Sequence, residues 1–262
     1  MIRRPPRSTR KESSAASDVY KRQPSGNSVG WVWDAGTSTV TNNDGSIASQ
    51  VRANPSAGFS IVSYTNNDGT VGHGLSAPPE FIITKRRNGS YTWSVYSKPT
   101  TKDAYLALNL PSGKGAVAGM WGSAEPTSSV FGTTSYVAPH GSSMIAYCFS
   151  SVEGYSSVGS YIGNGDPDGI FIYTGFSSRW ILFKRHDAGS DWTIYDTARD
   201  SYNASGIRLR PNLANNDHDE RPTLDILSNG FKFRRNSYEN GGNDKYIYLA
   251  IASNPFKIAR AR

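Results

Sequence analysis

Two short segments combine basic and aromatic residues at the same spacing. Lys85-Arg86-Arg87 precedes Trp93, and Lys184-Arg185-His186 precedes Trp192. Guanidinium groups bind planar anions through paired hydrogen bonds, and an aromatic face packs well on the apolar side of a sugar ring. These properties suit phosphates, acidic sugars and pyranose rings. The candidate ligand-binding residues are Arg86, Arg87, Trp93, Arg185, His186 and Trp192.

The same residues have a structural interpretation, which the pattern favours. The basic clusters follow the apolar runs "FIIT" and "WILF", where charged side chains commonly mark the emergence of a strand into solvent. Strand alternation puts Tyr91, Trp93 and Val95 on one face and Tyr96 on the other. Aromatic residues that recur at this spacing are also typical of a core.

A third candidate site is "NGDPDG", residues 164–169, which resembles the first half of a calcium-binding loop. Alternate oxygen ligands precede a glycine turn in such loops, and a glutamate follows at the twelfth position. Gly175 stands at that position here. The pattern therefore favours a plain turn over a calcium site formed by Asn164, Asp166 and Asp168, and no other cofactor is indicated.

No residue pattern points to catalysis. His73 lies between two glycines, where a hydrogen bond to the backbone is favoured over a general-base role. Cys148 lies in the apolar run "MIAYCFS", which favours a small buried hydrophobe over a nucleophile. No nucleophile elbow, zincin motif or phosphate-binding loop occurs. We expect a protein that is not an enzyme, although a pair of carboxylates distant in sequence would escape this search.

The elements that must position these residues are strands. Short apolar or alternating runs recur along the chain, including "FSIVSY", "EFIITK", "RWILFK" and "KYIYLAIA". Asn-Asp-Gly, Asn-Gly and proline-containing clusters separate them, as in hairpin connections. No amphipathic helix of three turns is evident. The sequence predicts an all-β fold of antiparallel strands.

An internal repeat underlies this pattern. "EFIITKRRNGSYTWSVYSK" (80–98) aligns without gaps on "RWILFKRHDAGSDWTIYDT" (179–197), and "SMIAYCFSS" (143–151) corresponds to "KYIYLAIAS" (245–253). Each copy has the usual size of one sandwich domain. We predict two tandem β-sandwich modules of jelly-roll or lectin-like type, at 57–156 and 157–262. Residues 24–56 are expected to end an upstream domain and to link it to the first copy.

Longer segments of both copies resemble a known group of proteins. "ANPSAGFSIVSYTNNDGTVGHGLSAPPEFIITKRR", "IAYCFSSVEGYSSVGSYIGNGDPDGIFIYTGF" and "IYLAIASNPFK" resemble an uncharacterised tandem domain of bacteriophage tail and tail-fibre proteins. The resemblance extends from about Trp31 to the C-terminus. It implies a virion surface protein at the adhesion end of the particle, and it implies no active site.

The first 23 residues have a different character. "MIRRPPRST" and "SSAASDVYKRQ" can both be back-translated to sequences that resemble sequencing-library adapters. We expect this segment to be non-native and disordered, and the natural protein to continue upstream. Its seven basic and two acidic residues account for +5 of the formal charge of +7. The remaining charge is small, so neither nucleic-acid binding nor a charged membrane surface is indicated. No run of about 18 apolar residues suggests membrane insertion.

These observations lead to one expected function and two alternatives. We expect part of a tail or fibre protein that binds a host-surface glycan or another receptor without catalysis, in contact with other tail proteins. Display on a trimeric or higher fibre would raise its avidity. The alternatives are a polysaccharide depolymerase at the tail tip and a purely structural or oligomerisation spacer.

Overall fold

The computed structural model describes residues 29–214 and 218–253. The segment 1–23 that we predict to be non-native lies outside these residues. The chain divides after Trp33 into two compact units. In the first unit only residues 29–33 are described, and they contain neither strand nor helix. The account below concerns the second unit, which begins at Asp34.

The second unit is nearly all β, as the sequence predicts. The strands are β1 Val40–Asn42, β2 Ser49–Asn54, β3 Phe59–Thr65, β4 Gly69–Gly72, β5 Phe81–Arg86, β6 Ser94–Ser97, β7 Ala104–Ala107, β8 Gly115–Ala116, β9 Val130–Thr133, β10 Ser143–Phe149, β11 Ser156–Ile162, β12 Phe171–Tyr173, β13 Ser178–Arg185, β14 Trp192–Asp196, β15 Ser205–Leu209, β16 His218–Leu227, β17 Gly230–Phe233 and β18 Lys245–Ala252. Single 3-10 turns occur at Pro55–Ala57, Lys98–Thr100 and Tyr238–Asn240. No helix in the described part of the chain is long and apolar enough to cross a membrane.

Two large antiparallel sheets contain most of these strands. The first sheet has the order β1-β2-β3-β10-β5-β6-β7-β8, and the second has the order β11-β18-β13-β14-β15-β16-β17-β12. Strands β4 and β9 form a separate two-stranded ladder. The change from one sheet to the other falls between β10 and β11, close to the module boundary that the sequence predicts.

The segments that align in sequence occupy corresponding positions in the two sheets. Ile82 pairs with Tyr96 across β5 and β6, and Ile181 pairs with Tyr195 across β13 and β14. The neighbouring strands on the other side of β5 and β13 also correspond. Ile82 of β5 pairs with Cys148 of β10, and Ile181 of β13 pairs with the aligned Ala250 of β18. The sequence repeat is therefore also a repeat of strand pairing.

The first sheet buries one face beneath the β4–β9 ladder. Val62 on β3 and Ile82 on β5 point to this core, because alternate residues of a strand share a face. Val71 and Phe131, which pair across the ladder, cover them. Trp121, from the connection between β8 and β9, completes the layer. A large sheet thus packs against a small one.

The second sheet is nearly closed into a barrel. Its interior is aromatic and includes Tyr161, Phe183, Phe231 and Phe233, with Phe183 and Phe231 edge to face at 5.3 Å between ring centroids. Both edge strands contribute to this one core, through Tyr161 of β11 and Ile172 of β12, and the Tyr161 ring lies 5.5 Å from the Phe233 ring of β17 between centroids. A twisted antiparallel sheet of this size curls and covers its own inner face. The strands of the second half thus belong to one curled sheet.

Strands β1 and β2 lie in the segment 24–56, which we expected to link an upstream domain to the first copy. Strand β2 instead pairs along its whole length with β3, and Val51 is buried in the core of the first sheet. The alternation of "SQVRAN" (49–54) puts Val51 inward and Arg52 outward. These residues therefore extend the first sheet.

Candidate functional site

The first basic–aromatic group lies at the tip of the β5–β6 hairpin. The Lys85 ammonium lies 5.7 Å from the centre of the Trp93 ring, and Lys85 also donates a hydrogen bond to the Tyr91 carbonyl. Arg86 donates through Nε to Asn88 Oδ1 at 3.1 Å. Arg87 is exposed, whereas Trp93 is half-buried. The hairpin thus presents a basic and aromatic face to solvent.

The second group has the same local structure at the tip of the β13–β14 hairpin. The Lys184 ammonium lies 5.8 Å from the centre of the Trp192 ring, and Lys184 donates to the Ser190 carbonyl. Arg185 forms ion pairs with Asp187 at 2.9 Å and with Asp244 at 2.7 Å. The solvent-exposed strand end that the sequence pattern favours is therefore not found at Lys184, which is buried, whereas Arg185 stays partly exposed.

The surroundings of the second hairpin differ, because it packs against the first sheet. Trp192 is fully buried, and its indole Nε1 donates to the Ala107 carbonyl at 2.7 Å. Lys184 donates to the Pro111 carbonyl at 2.8 Å. His186 is 8% exposed and accepts through its carbonyl from the Lys114 N–H. Trp192 and His186 are thus held within the protein, and we leave them out of the ligand-binding surface.

The loop that resembles half of a calcium site folds as successive turns. The Asn164 side chain accepts from the Asp166 N–H at 3.1 Å, and the Asp166 side chain accepts from the Asp168 N–H at 2.8 Å. Asp168 Oδ1 lies 2.7 Å from the Lys232 ammonium. Within the described ranges, no group of three or more His, Cys, Asp or Glu side chains could hold a metal ion. The arrangement supports the turn interpretation, since the Lys232 ammonium pairs with the Asp168 carboxylate that a bound metal ion would need.

His73 and Cys148 occupy structural positions. His73 is buried, accepts from the Leu75 N–H through Nδ1 at 3.1 Å and contacts the Thr127 carbonyl through Nε2 at 3.1 Å. Burial lowers the pKa of His73. Cys148 is fully buried, and burial raises the pKa of its thiol to about 12. The predictions of a histidine bound to the backbone and of a buried cysteine are confirmed.

A cleft of about 420 Å³ lies beside the β4–β9 ladder. We call it the Asp68 cleft. Its lining combines two carboxylates, several hydroxyl groups and exposed backbone at glycines. The lining includes Asp68, Thr70, Gly122, Ser123, Glu125, Thr127, Thr133 and Thr134. Its volume lies within the range of small-molecule sites.

The two carboxylates of this cleft are held by hydrogen bonds. Asp68 Oδ1 accepts from His140 Nε2 at 2.9 Å and from the Ser135 N–H at 2.8 Å. The bond from His140 and then the bond from Ser135 hold the pKa of Asp68 below its ordinary value. Glu125 Oε2 accepts from the Tyr96 hydroxyl at 2.7 Å, and its Oε1 accepts from the Lys102 N–H at 3.0 Å. Asp68 is therefore an ionised acceptor at neutral pH.

The second sheet carries a polar cleft of about 320 Å³ next to β15. We call it the Asp200 cleft. Its lining is rich in serine and includes Asn203 and Tyr202, which is 75% exposed. Asp200 Oδ2 accepts from the Ser205 hydroxyl, the Gly206 N–H and the Ile207 N–H at 2.8–3.0 Å. The carboxylate thus organises the backbone and leaves Tyr202 at the rim.

Beneath β14 and β15 the second sheet contains a buried polar cluster that the sequence analysis did not identify. The Tyr195 hydroxyl donates to Glu239 Oε2 at 3.2 Å, and Arg208 lies 3.6 Å from Glu239 Oε1. Arg208 also lies over the Tyr238 ring at 4.1 Å. The adjoining cavity measures only about 30 Å³. We interpret the cluster as structural, since this space is far smaller than a small-molecule site.

Neither cleft could be assembled from the sequence. Asp68 and Glu125 are 57 positions apart, and each lies in a polar loop without a recognised motif. Tyr96 aligns with Tyr195 in the sequence, and in the structure each donates to a glutamate, Glu125 or Glu239. The glutamates lie outside the aligned segments, so the sequence does not reveal this shared contact.

The fold and these clefts define a nearly all-β protein whose sheets carry polar surface sites. The chain belongs to the family described as Domain of unknown function (DUF7483), which matches residues 9–255. The match thus covers both sheets and begins within the first 23 residues. Neither a comparison with curated proteins nor one with solved structures gave a match.

Proposed function

We propose that this protein is part of a bacteriophage tail or tail fibre and binds a host-surface glycan without catalysing a reaction. In this proposal the two sheets are the cores of tandem, lectin-like modules that arose by duplication. The corresponding strand registers of the two hairpins support the duplication. The protein faces outward on the virion and contacts other tail proteins.

The observation that carries the proposal is the Asp68 cleft. Sugars present several hydroxyl donors close together, and the cleft offers the ionised Asp68 carboxylate and the Thr70, Thr127 and Thr134 side chains to meet them. Hydrogen bonds to a charged acceptor are stronger than those between neutral groups. Tyr136 is 59% exposed and follows Ser135, whose N–H donates to Asp68, so we expect its aromatic ring close to the cleft.

The Asp200 cleft supports the same function in the second sheet. The exposed Tyr202 ring at a rim rich in serine hydroxyls suits a sugar face, since a tyrosine combines an apolar ring with a polar end. Two weak sites on one chain, repeated on a trimeric or higher fibre, would raise avidity by roughly 10²–10⁴. This gain explains how shallow clefts could hold a virion on a cell.

The depolymerase remains the second candidate, because Asp68 and Glu125 line one cleft. Glycoside hydrolysis requires one carboxyl group that is protonated and one that is ionised. The lowered pKa of Asp68 suits only the ionised role, and Glu125 would have to supply the proton while it accepts from Tyr96 and Lys102. We therefore favour binding over cleavage.

The test is binding of the full chain to an array of bacterial surface glycans and to whole host cells. We expect Asp68→Ala to reduce binding at least about tenfold, since it removes a charged acceptor from the cleft. Tyr202→Ala probes the Asp200 cleft in the same way. Tyr173→Ala is the control, because Tyr173 is 68% exposed and lines neither cleft.

Three outcomes would contradict the proposal. Release of new reducing ends from a bound polysaccharide, lost in Glu125→Gln, would establish the depolymerase instead. Adhesion that is unchanged in both Asp68→Ala and Tyr202→Ala would favour the structural spacer. Absence of binding to every glycan and to cells would remove the glycan-binding function.

A further inference from the structure

We propose that the β5–β6 hairpin tip of this protein binds the 210–214 loop of a second copy, so that chains associate head to tail. We call the tip, formed by Lys85, Arg87, Tyr91 and Trp93, the open hairpin face. The proposal concerns assembly and does not depend on glycan binding.

The contact between the two sheets provides the template. There the β13–β14 hairpin receives the 107–114 loop of the first sheet. Trp192 Nε1 donates to the Ala107 carbonyl at 2.7 Å, and Lys184 Nζ donates to the Pro111 carbonyl at 2.8 Å. The Ser190 N–H donates to the same Pro111 carbonyl at 2.7 Å. The loop contributes only backbone carbonyls to these three bonds, so the recognition does not depend on its side chains.

The open hairpin face repeats the receiving half of this contact. Trp93 and Lys85 align with Trp192 and Lys184, and the ammonium-to-ring distances are 5.7 and 5.8 Å. Each lysine donates to the carbonyl of the residue six positions later. The backbone N–H of each tryptophan donates at 2.9 Å to an asparagine side chain. The acceptor is Asn109 Oδ1 in the first sheet and Asn212 Oδ1 in the second.

The 210–214 loop repeats the inserting half. The Leu110 N–H donates to the Ala107 carbonyl at 3.3 Å, and the Leu213 N–H donates to the Arg210 carbonyl at 3.0 Å. Leu110 and Leu213 are 37% and 38% exposed. The turn is therefore the same, and Arg210 and Ala214 occupy the places of Ala107 and Pro111.

The open hairpin face has no such loop on it within the described part of the chain. Arg87 and Tyr91 are exposed, whereas the aligned His186 and Ser190 are buried and half-buried. Trp93 Nε1 makes no hydrogen bond to a described residue. By the correspondence, Trp93 Nε1 would donate to Arg210 O of the second copy, and Lys85 Nζ and the Tyr91 N–H would donate to its Ala214 O.

The two surfaces differ, and each chain carries both. Such a heterologous contact builds rings or open rows and does not stop at a dimer unless the rotation closes. The expected assembly therefore grows with concentration. Within it, the contact between chains repeats the contact between sheets.

Sedimentation of the full chain over a range of concentrations tests this proposal. We expect growing oligomers for the unaltered chain and at least about a tenfold weaker association for Trp93→Ala, because a buried tryptophan often dominates an interface. Tyr173→Ala, which removes an exposed aromatic ring elsewhere, should associate normally. Urea unfolding of Trp93→Ala establishes that the variant is folded.

A cross-linking experiment tests the predicted pairing directly. In the contact between the sheets, a Cβ added at Gly189 would lie 3.8 Å from the Pro111 carbonyl oxygen. Ser90 corresponds to Gly189, and Ala214 corresponds to Pro111. A chain with Ser90→Cys mixed with a chain with Ala214→Cys should form a mixed dimer with a short bis-maleimide. Replacing the second partner by Ser201→Cys should abolish the product. Cys148 is buried, and the unaltered chain is the control for its labelling.

Two results would overturn the proposal. One is a chain that stays monomeric at all concentrations and gives no more mixed dimer than the Ser201→Cys control. The other is association that is equal in the unaltered chain and in folded Trp93→Ala. Glycan binding is measured separately on the same variants, so its failure leaves these outcomes readable.

Discussion

Trp93 and Trp192 occupy aligned positions but have different surroundings. Each ring lies beside a lysine ammonium, and each backbone N–H donates to an asparagine side chain. Only Trp192 is fully buried, with Phe81 of the first sheet edge to face at 6.4 Å. A residue type at a given spacing therefore does not decide whether the ring serves a core or a surface.

Trp192→Ala should lower the free energy of unfolding by about 3–5 kcal/mol, because it leaves a cavity and removes the indole hydrogen bond to the Ala107 carbonyl. Trp93→Ala should cost about 1 kcal/mol, as is typical of a half-buried position. Urea unfolding of dilute samples measures both. Equal losses in the two variants would contradict the difference in burial.

Lys184 makes stability depend on pH in a defined window. Burial lowers its pKa to about 8, whereas a lysine of the unfolded chain titrates near 10.4. Between about pH 8 and pH 10 this lysine holds more protons in the unfolded state than in the folded state. Its contribution to the free energy of unfolding therefore rises with pH. Burial raises the pKa of Tyr161 and Tyr195, whose ionisation in the unfolded state opposes the fold at higher pH.

The unaltered chain should therefore gain stability relative to Lys184→Met between pH 8 and pH 10. Urea unfolding at intervals of half a pH unit measures the difference. If the two curves stay parallel through this range, the lysine does not titrate as its burial requires.

At the scale of elements, the β5–β6 and β13–β14 hairpins are the repeated unit. Each hairpin carries a tryptophan at its tip, and the backbone N–H of that tryptophan donates to an asparagine. The asparagine lies just after the next strand of the sheet, β7 or β15. This bond satisfies a backbone donor that the sheet leaves unpaired. Asn212 also donates to Asp191 Oδ1 at 2.8 Å, so the second hairpin is held more tightly.

Asn212→Ala should destabilise the protein by roughly 1–3 kcal/mol, because it leaves a buried N–H without a partner. Asn109→Ala should cost less, since water reaches the half-buried Trp93 end of the first hairpin. Thermal unfolding of both variants gives the comparison. A larger loss in Asn109→Ala would show that the two hairpins are not capped in the same way.

At the scale of the whole molecule, the packed hairpin joins the two sheets. Bonds from Trp192, Lys184 and Ser190 to the 107–114 loop connect them, and the residues from Asp34 onward form one compact unit. We therefore expect both sheets to unfold in one cooperative transition.

Gly113→Ala should separate this transition into two, because a Cβ at Gly113 would lie 2.8 Å from backbone atoms of Ala188. Gly115→Ala is the matched control on the same segment, where the nearest atom to an added Cβ is 3.7 Å away. Differential scanning calorimetry distinguishes the cases. A single transition in both variants would mean that the contact does not couple the sheets.

The sequence alone determined the strands, the repeat and the local chemistry of each hairpin tip. Alternation and turn residues act over a few positions, so they specify strands such as β5 and β13 without reference to the rest of the chain. The sequence also indicated correctly that His73 and Cys148 serve the core.

Only the tertiary structure decided what these elements do together. The near closure of the second sheet brings Tyr161 of β11 against Phe233 of β17, and the Asp68 cleft brings Asp68 and Glu125 into one lining. The burial of Trp192 depends on a loop about 80 residues earlier. Such contacts are set by how the sheet faces pack, and packing between distant segments leaves no periodic trace in the sequence.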